Sequence, residues 1–130
     1  MTLAYLGTSA AKKLVVDEPE SDELVEHLAS GPRLIASWLL HTEMHCAARR
    51  HPDAIDLSTV DHILTTVNLV DRTRGDMLAA GTHAPLRSND ALHLAVAIRL
   101  GTDEIVTYDA EVSAAAKAAG LEVRSPGSTR

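Results

Sequence analysis

Short apolar segments alternate with helix-length segments along the whole chain, and this alternation is the strongest constraint on its fold. The strand-like segments fall at Leu3–Leu6 and at residues 34–36, 69–70, 104–108 and 121–124. Between them, apolar residues recur at helical spacing. Parallel strands need a crossover connection, and a helix of about ten residues supplies one. The sequence therefore predicts an α/β fold with a mainly parallel sheet covered on both faces.

Several helix boundaries are marked by residues that cap helices. Thr73 is a candidate cap for one helix, and Ser58 with Asp61 resembles a capping box for another. The clearest helix is predicted over residues 91–100, where residues 88–90 open an apolar run that ends at a glycine.

The chain length limits the protein to one domain, since 130 residues is a usual domain size. We predict a single domain over residues 1–124 and a frayed C-terminal tail over 125–130. Only 2% of the residues are aromatic, which excludes base stacking on aromatic side chains as a main binding mode. The net charge of −6 excludes nucleic-acid binding by bulk electrostatic attraction, although a local basic patch remains possible.

The single cysteine, Cys46, excludes an intrachain disulfide and a multi-thiolate metal site, and it is expected to be a small core residue. The chain has no long apolar run typical of a membrane span, and its first residues lack the order of a signal peptide. We therefore expect a cytoplasmic protein with no membrane partner.

Three acidic residues occupy positions that solubility alone does not explain. Glu43 lies on the side of a helix that carries Leu39 and Leu40, Asp90 lies at a helix start, and Asp109 lies at a strand end. Like charges repel, so a pocket that gathers the three needs a cation, and oxygen ligands favour Mg²⁺ or Mn²⁺. Simpler roles stay open: Asp90 and Asp109 as helix caps, and Glu43 as a partly exposed rim residue.

Four parts of the chain carry a family resemblance. They are YLGTSA at 5–10, Glu43 in a mid-chain helix, LRSNDALHLA at 86–95 and VTYD at 106–109. In this order and spacing the chain resembles the PIN-domain family, and within it the VapC-type toxins of bacterial toxin–antitoxin pairs. The resemblance covers nearly the whole chain. It implies a PIN-like three-layer α/β/α sandwich and an endoribonuclease that depends on Mg²⁺ or Mn²⁺.

The resemblance also implies roles for individual residues. The family's acidic, metal-binding and catalytic set corresponds here to Glu43, Asp90 and Asp109. Thr8 and Ser9 match the small polar residues after its first strand, where a hydroxyl can hold a carboxylate or a metal-bound water. In the family's chemistry the ions activate water and stabilise the charge that develops during phosphodiester cleavage.

Gly7 departs from the family pattern, which has an aspartate directly before Thr-Ser-Ala. The first metal-ligand position therefore lacks its carboxylate, and we predict that this chain is nearly inactive as a nuclease. Glycine has no evident local reason at a strand end. Two origins stay open. One is a change from aspartate, made or acquired because an active toxin harms its host. The intact remainder of the motif favours this origin. The other is a natural inactive homologue.

The candidate RNA contacts are the cations near these motifs. They are Lys12, Lys13 and Arg87, of which Arg87 is favoured because it lies in the loop directly before Asp90. The overall acidity favours recognition of a structured RNA by shape. Solvated helix ends are an equally good explanation for each cation.

The histidines favour structural roles over metal binding. His41 and His45 lie one helical turn apart but form no HExxH motif, so surface or half-buried positions are expected. His93, one turn after Asp90, is expected to be a partly buried helix residue, with a position bordering the pocket as the alternative.

By resemblance, the expected partner is a VapB-type antitoxin, with a homodimer or a toxin–antitoxin heterotetramer as the assembly. Two other functions stay open. The chain could be a catalytically silent PIN domain that binds RNA or protein, with Gly7 as its native residue. A haloacid-dehalogenase-type hydrolase is a weaker alternative, because the required pair of nucleophilic aspartates is missing.

Overall fold

Five parallel strands form one sheet in the computed structural model, which describes residues 1–128 of the 130. The strands are β1 (Leu3–Leu6), β2 (Arg33–Ser37), β3 (Asn68–Val70), β4 (Glu104–Val106) and β5 (Glu122–Arg124). Their order across the sheet is β3-β2-β1-β4-β5, and neighbouring strands are parallel. The predicted α/β class and parallel sheet are therefore confirmed.

Helices flank the sheet and give the three-layer α/β/α sandwich that the resemblance implied. Within the described residues they are α1 (Thr8–Lys13), α2 (Ser21–Ala29), α3 (Leu39–Arg50), α4 (Leu57–Thr65), α5 (Arg74–Ala80), α6 (Ser88–Arg99) and α7 (Ala110–Ala118). The two longest helices, α3 and α6, have 12 residues each, and each carries one of the predicted site carboxylates.

Strand β1 lies in the middle of the sheet and is fully buried over Ala4, Tyr5 and Leu6. The chain places β2 and β3 on one side of β1, then β4 and β5 on the other. Where strand order reverses in this way, the connections leave in opposite directions and open a crevice at the carboxyl ends of the strands. The fold therefore puts its natural binding crevice beyond the ends of β1 and β4.

The helix caps follow the sequence in one case and depart from it in another. Thr73 caps α5 in a full capping box with Asp76, as the sequence predicts for Thr73. The capping box predicted for Ser58 is wrong, because the N-cap position of α4 is Asp56, two residues before Ser58, and the helix begins at Leu57. The Asp56 carboxylate accepts a hydrogen bond of 2.6 Å from the Ser58 hydroxyl. An acidic residue two positions before the predicted cap was the signal for this start.

Helix α3 places its histidines as expected but not its cysteine. His41 and His45 are half-buried, and their rings stack with centroids 4.2 Å apart. Cys46 is exposed, so its prediction as a core residue is wrong. The helix turns Met44 and Ala47 into the core, and Cys46 lies between them on the opposite side.

The segment after β5 is held against the domain. The Ser125 hydroxyl donates to the Thr107 carbonyl over 2.5 Å, and the Tyr108 hydroxyl donates to the Pro126 carbonyl over 2.6 Å. Ser125 and Pro126 are therefore held against the segment that follows β4. The frayed tail over 125–130 stays a prediction, and its residues 129–130 lie outside the described part of the chain.

Within residues 1–128, no helix is long and apolar enough to cross a bilayer.

Candidate active site

A polar pocket of about 220 Å³ opens beyond the carboxyl ends of β1 and β4, in the crevice that the strand order creates. Its lining residues come from the start of α1, from α3, from α6 and from the segment around β4. They are Gly7, Thr8, Ser9, Lys12, Glu43, Asp90, His93, Ile105, Thr107, Asp109 and Val112. All the residues predicted for the catalytic and metal-binding set thus lie at one pocket.

Asp90 lies in the first turn of α6, three residues after the N-cap position that Arg87 occupies. The alternative role of Asp90 as the helix cap is therefore wrong. Burial raises the pKa of the Asp90 carboxyl above its ordinary value, and the nearby charges of Asp109 and Glu43 raise it further against an opposing effect of His93. A carboxylate in this position favours a cation nearby, because a cation relieves the repulsion.

Asp109 caps a helix and also lines the pocket. It occupies the N-cap position of α7, where its Oδ1 accepts a hydrogen bond of 2.9 Å from the Val112 N–H. Its charge acts on Asp90 across the pocket. One oxygen is thus used to start a helix, which fixes the side chain at the end of β4.

Glu43 is held in place from two directions. The Thr8 hydroxyl donates to Glu43 Oε1 over 2.9 Å, and His93 Nε2 lies 2.5 Å from the same oxygen. Burial by itself raises the pKa of the Glu43 carboxyl, but the hydrogen bonds and the charge of His93 outweigh it, so the pKa falls below its ordinary value. Only 19% of the Glu43 side chain is exposed, and its carboxylate contacts both Thr8 and His93, so Glu43 is more than a partly exposed rim residue.

Ser9 connects the start of α1 to the segment after β4. Its Oγ accepts a hydrogen bond of 2.8 Å from the Tyr108 N–H and lies 3.1 Å from the Thr107 hydroxyl oxygen. Thr107 Oγ1 in turn accepts from the Asp109 N–H over 3.2 Å. Sequence reasoning missed Thr107 as a pocket residue. Its position directly after a buried strand was a usable signal, because polar residues at strand ends face this crevice.

Gly7 fits a close approach between β1 and β4. Its N–H donates to the Val106 carbonyl oxygen over 2.9 Å, and a Cβ at this position would lie 2.8 Å from that same oxygen. It would also lie 3.3 Å from Thr107 Cβ. A side chain therefore needs a backbone shift here. The expectation that glycine has no local reason at this strand end is wrong, because the end of β4 leaves no room for a Cβ.

Of the three predicted RNA contacts, Lys13 forms ion pairs within the domain, whereas Lys12 and Arg87 are exposed to solvent. Lys13 Nζ lies 2.9 Å from Glu20 and 3.5 Å from Glu18, and the hydrogen bond to Glu20 raises the pKa of Lys13. Its charge is thus used within the domain. Lys12 is exposed and lines the pocket, and Arg87 is exposed at the start of α6.

The pocket suits a hard cation that keeps much of its water. Among residues 1–128, no group of three histidine, cysteine, aspartate or glutamate side chains is arranged to hold one metal ion. Mg²⁺ is commonly held in proteins by one or two carboxylates, with water completing its shell. Glu43, Asp90 and Asp109 supply oxygen donors only, and the pKa of Asp90 is raised first by burial and then by the negative charge of Asp109 and Glu43, which a cation would offset.

Comparison with known proteins agrees with this fold. The model of the PIN domain family matches residues 4–118. The chain is 34% identical to ribonuclease VapC46 of Mycobacterium tuberculosis, over 97% of this chain and 99% of that protein. It therefore belongs to the PIN-domain family, and its relatives within that family include a VapC ribonuclease.

Solved structures share the same fold at low sequence identity. A toxin–antitoxin complex from Klebsiella pneumoniae superimposes with a TM-score of 0.74 at 18% identity, covering 95% of this chain and 97% of that chain. The VapBC2 structure from Rickettsia felis, bound to a promoter DNA fragment, gives a TM-score of 0.72 at 16% identity, covering 95% and 98%. These likenesses concern the fold alone.

Proposed function

We propose that this chain is a VapC-type toxin whose pocket is built for metal-dependent endoribonuclease chemistry, with Gly7 in the place of one ligand. The observation that carries the proposal is the meeting of Glu43, Asp90 and Asp109 at one pocket beyond β1 and β4. The 34% identity to a VapC ribonuclease over nearly the full length of both chains supports the same class of activity.

In the proposed mechanism, one or two of the carboxylates of Asp90, Asp109 and Glu43 would hold a Mg²⁺ or Mn²⁺ ion, with water completing its shell. When bound, the ion would supply a Lewis acid that lowers the pKa of water and offsets negative charge on a phosphodiester. Thr8 fixes Glu43 by hydrogen bonding, and Ser9 keeps the start of α1 against the segment that carries Asp109. Lys12 and Arg87 are placed to attract RNA phosphates, since both are exposed and one lines the pocket.

Without a carboxylate at position 7, the pocket has three acidic side chains instead of the four of the family pattern. Fewer carboxylates weaken both the attraction for the ion and the definition of its position. We therefore propose that the chain, as its sequence stands, has very low nuclease activity. A VapB-type antitoxin is the proposed partner, in a heterotetramer or beside a toxin homodimer, and a structured RNA is the proposed substrate.

A second function is favoured by the fit of Gly7 between β1 and β4. A Cβ added at Gly7 would lie only 2.8 Å from the Val106 carbonyl oxygen, so a side chain there requires a shift of the backbone of β1 or β4, whereas glycine requires none. This supports a natural, catalytically silent PIN domain that binds RNA or protein.

Cleavage of total cellular RNA by three forms of the protein tests the proposal. The original chain, Gly7→Asp and the matched control Gly7→Ala are compared with Mn²⁺, with Mg²⁺ and with a chelator. The nuclease proposal predicts metal-dependent cleavage by Gly7→Asp only, because the alanine adds the same Cβ without a carboxylate. If circular dichroism finds all three folded and none cleaves RNA, the nuclease proposal is contradicted and the silent module is supported.

A further inference from the structure

A chain of hydrogen bonds runs from the end of β2 to the Glu43 carboxylate. The Ser37 N–H donates to the Tyr5 hydroxyl oxygen over 3.1 Å, and that oxygen lies 2.6 Å from His93 Nδ1. His93 Nε2 then lies 2.5 Å from Glu43 Oε1. The Tyr5 residue is fully buried and His93 is 4% exposed, so water has little access to this part of the chain of bonds.

Counting the protons along this chain fixes the role of each atom. The Tyr5 oxygen already accepts from Ser37, so its own proton goes to its remaining partner, His93 Nδ1. Nδ1 is then the acceptor and Nε2 carries the proton, which points to Glu43 Oε1 at 2.5 Å, with the Thr8 hydroxyl oxygen as a second, longer neighbour at 3.2 Å. The opposite tautomer would place a lone pair of Nε2 against a carboxylate oxygen. A doubly protonated ring would leave the buried Tyr5 proton without an acceptor, which is unfavourable.

The acid–base property of the buried end agrees with this assignment. Burial raises the pKa of the Tyr5 hydroxyl well above its ordinary value, so the group keeps its proton and can donate it. The bonds from Thr8 and His93 both end on Oε1, which leaves Oε2 without a hydrogen bond from the described residues.

We propose that Tyr5 and His93 are positioning residues for the site: Tyr5 holds His93 in its Nε2–H tautomer, and His93 holds Glu43 so that Oε2 is available to a cation. This inference rests on the function proposed above for the choice of ligand, but the tautomer assignment rests on geometry alone. Groups that orient a metal ligand through hydrogen bonds commonly affect metal affinity about 10- to 100-fold. Neither residue needs to touch the ion or the RNA.

The tautomer of His93 is tested directly by ¹⁵N NMR of the histidine rings in the metal-free protein at neutral pH. The original chain is expected to give the Nε2–H pattern for His93. Tyr5→Phe removes only the hydroxyl, so the ring of His93 should shift to a mixture of tautomers. His27 is the internal control, because it also pairs with a buried glutamate, at 2.7 Å from Glu104, but is remote from Tyr5 in the hydrogen-bond network. Its signals should not change.

The effect on the site is tested by Mn²⁺ affinity in the same proteins. Tyr5→Phe is expected to weaken Mn²⁺ binding about tenfold. His93→Leu should weaken it at least as much, and His93→Gln, which can still donate to Glu43, should recover part of the loss. Because His93→Leu can fail to fold, Tyr5→Phe is the decisive variant, as it keeps the ring and its packing.

The possible outcomes separate this inference from the proposed function. An Nδ1–H or doubly protonated His93 in the original chain overturns the positioning role, as does a Tyr5→Phe protein with unchanged tautomer and unchanged Mn²⁺ affinity. The expected NMR response without Mn²⁺ binding in any form supports the Tyr5–His93–Glu43 arrangement and contradicts the metal-dependent function. Both expected responses together support the two proposals.

Discussion

Two aspartates occupy the same position in neighbouring helices and have opposite environments. Asp76 and Asp90 each lie three residues after the N-cap of their helix, α5 and α6. Asp76 is 2% exposed and accepts hydrogen bonds of 2.8 Å from the Thr73 N–H and from Arg99 Nε. Burial raises its pKa, but these bonds outweigh that effect and lower it. The carboxylate of Asp76 is thus satisfied by the fold.

Asp90 has no comparable partner within residues 1–128, and its pKa is raised by burial and by the neighbouring Asp109 and Glu43. The difference lies in the cap residue. Thr73 completes a capping box with Asp76, whereas Arg87 has no side-chain oxygen with which to cap α6. A buried carboxylate thus supports folding where donors surround it. Where other carboxylates surround it, it is available for binding, at some expense of stability.

Asp76→Asn is expected to have the largest effect on stability. It keeps the side-chain size but removes the charge that faces Arg99 and turns one acceptor into a donor. We expect the free energy of unfolding at neutral pH to fall by about 2–3 kcal/mol. The loss is not larger because Arg99 is partly exposed, and water can solvate its charge when the partner carboxylate is removed. Urea unfolding measures it. The matched control is Asp90→Asn, and equal losses for the two variants would remove the contrast.

The contribution of the Asp76 carboxylate to the free energy of unfolding should also depend on pH. The folded-state pKa of Asp76 is lower than its unfolded value, so the unfolded chain binds more protons in the range between them. Its stabilisation is therefore complete above about pH 4, the unfolded value, and is lost as the pH falls through the folded value. The stability gap between the original chain and Asp76→Asn should narrow below about pH 4. A gap that persists into strong acid contradicts this.

Substitution at Gly7 should lower stability for a steric reason first. Because a Cβ there lies 2.8 Å from the Val106 carbonyl oxygen, Gly7→Ala is expected to lose about 1–3 kcal/mol. Gly7→Asp adds a charge to the pocket of Asp90 and should lose more than Gly7→Ala in metal-free buffer, with Mn²⁺ reducing that additional loss. Thermal unfolding of the two variants with and without Mn²⁺ is the measurement. If Gly7→Ala is as stable as the original chain, the close approach of β1 and β4 is refuted.

Asp90→Asn should have the smallest effect on stability. Removal of a charge that is surrounded by like charges is expected to leave the free energy of unfolding unchanged or raise it by up to about 0.5 kcal/mol, after allowance for solvent screening. The same variant should lose the stabilisation that Mn²⁺ gives the original chain. Urea unfolding with and without Mn²⁺ measures both effects. A large loss of stability in metal-free buffer would mean that Asp90 stabilises the fold as Asp76 does, which contradicts the prediction.

The sequence was sufficient for the parts of the molecule that depend on neighbours in the chain. Apolar strands, the cap at Thr73 and the placement of Asp109 after a strand follow from local pattern. The order of β-α units then brings the ends of β1 and β4 together, so the location of the pocket could be predicted from the sequence as well.

The contacts that the sequence could not reveal join distant residues. Tyr5 and His93 are 88 residues apart, and only the packed fold brings the hydroxyl to the ring. The crowding at Gly7 depends on a carbonyl of β4, and the use of Lys13 in ion pairs depends on the path of the loop before α2. These features depend on distances of a few tenths of an ångström, which residue patterns do not encode.

Mn²⁺ broadening in the ¹H–¹⁵N NMR spectrum of the original chain shows directly whether the carboxylates beyond β1 and β4, and not Asp76, form the binding site. At substoichiometric Mn²⁺, the amide signals of Thr8, Asp90 and Asp109 should broaden first, well before those around Asp76. Broadening that begins around Asp76, or that is spread evenly over the protein, would contradict the account.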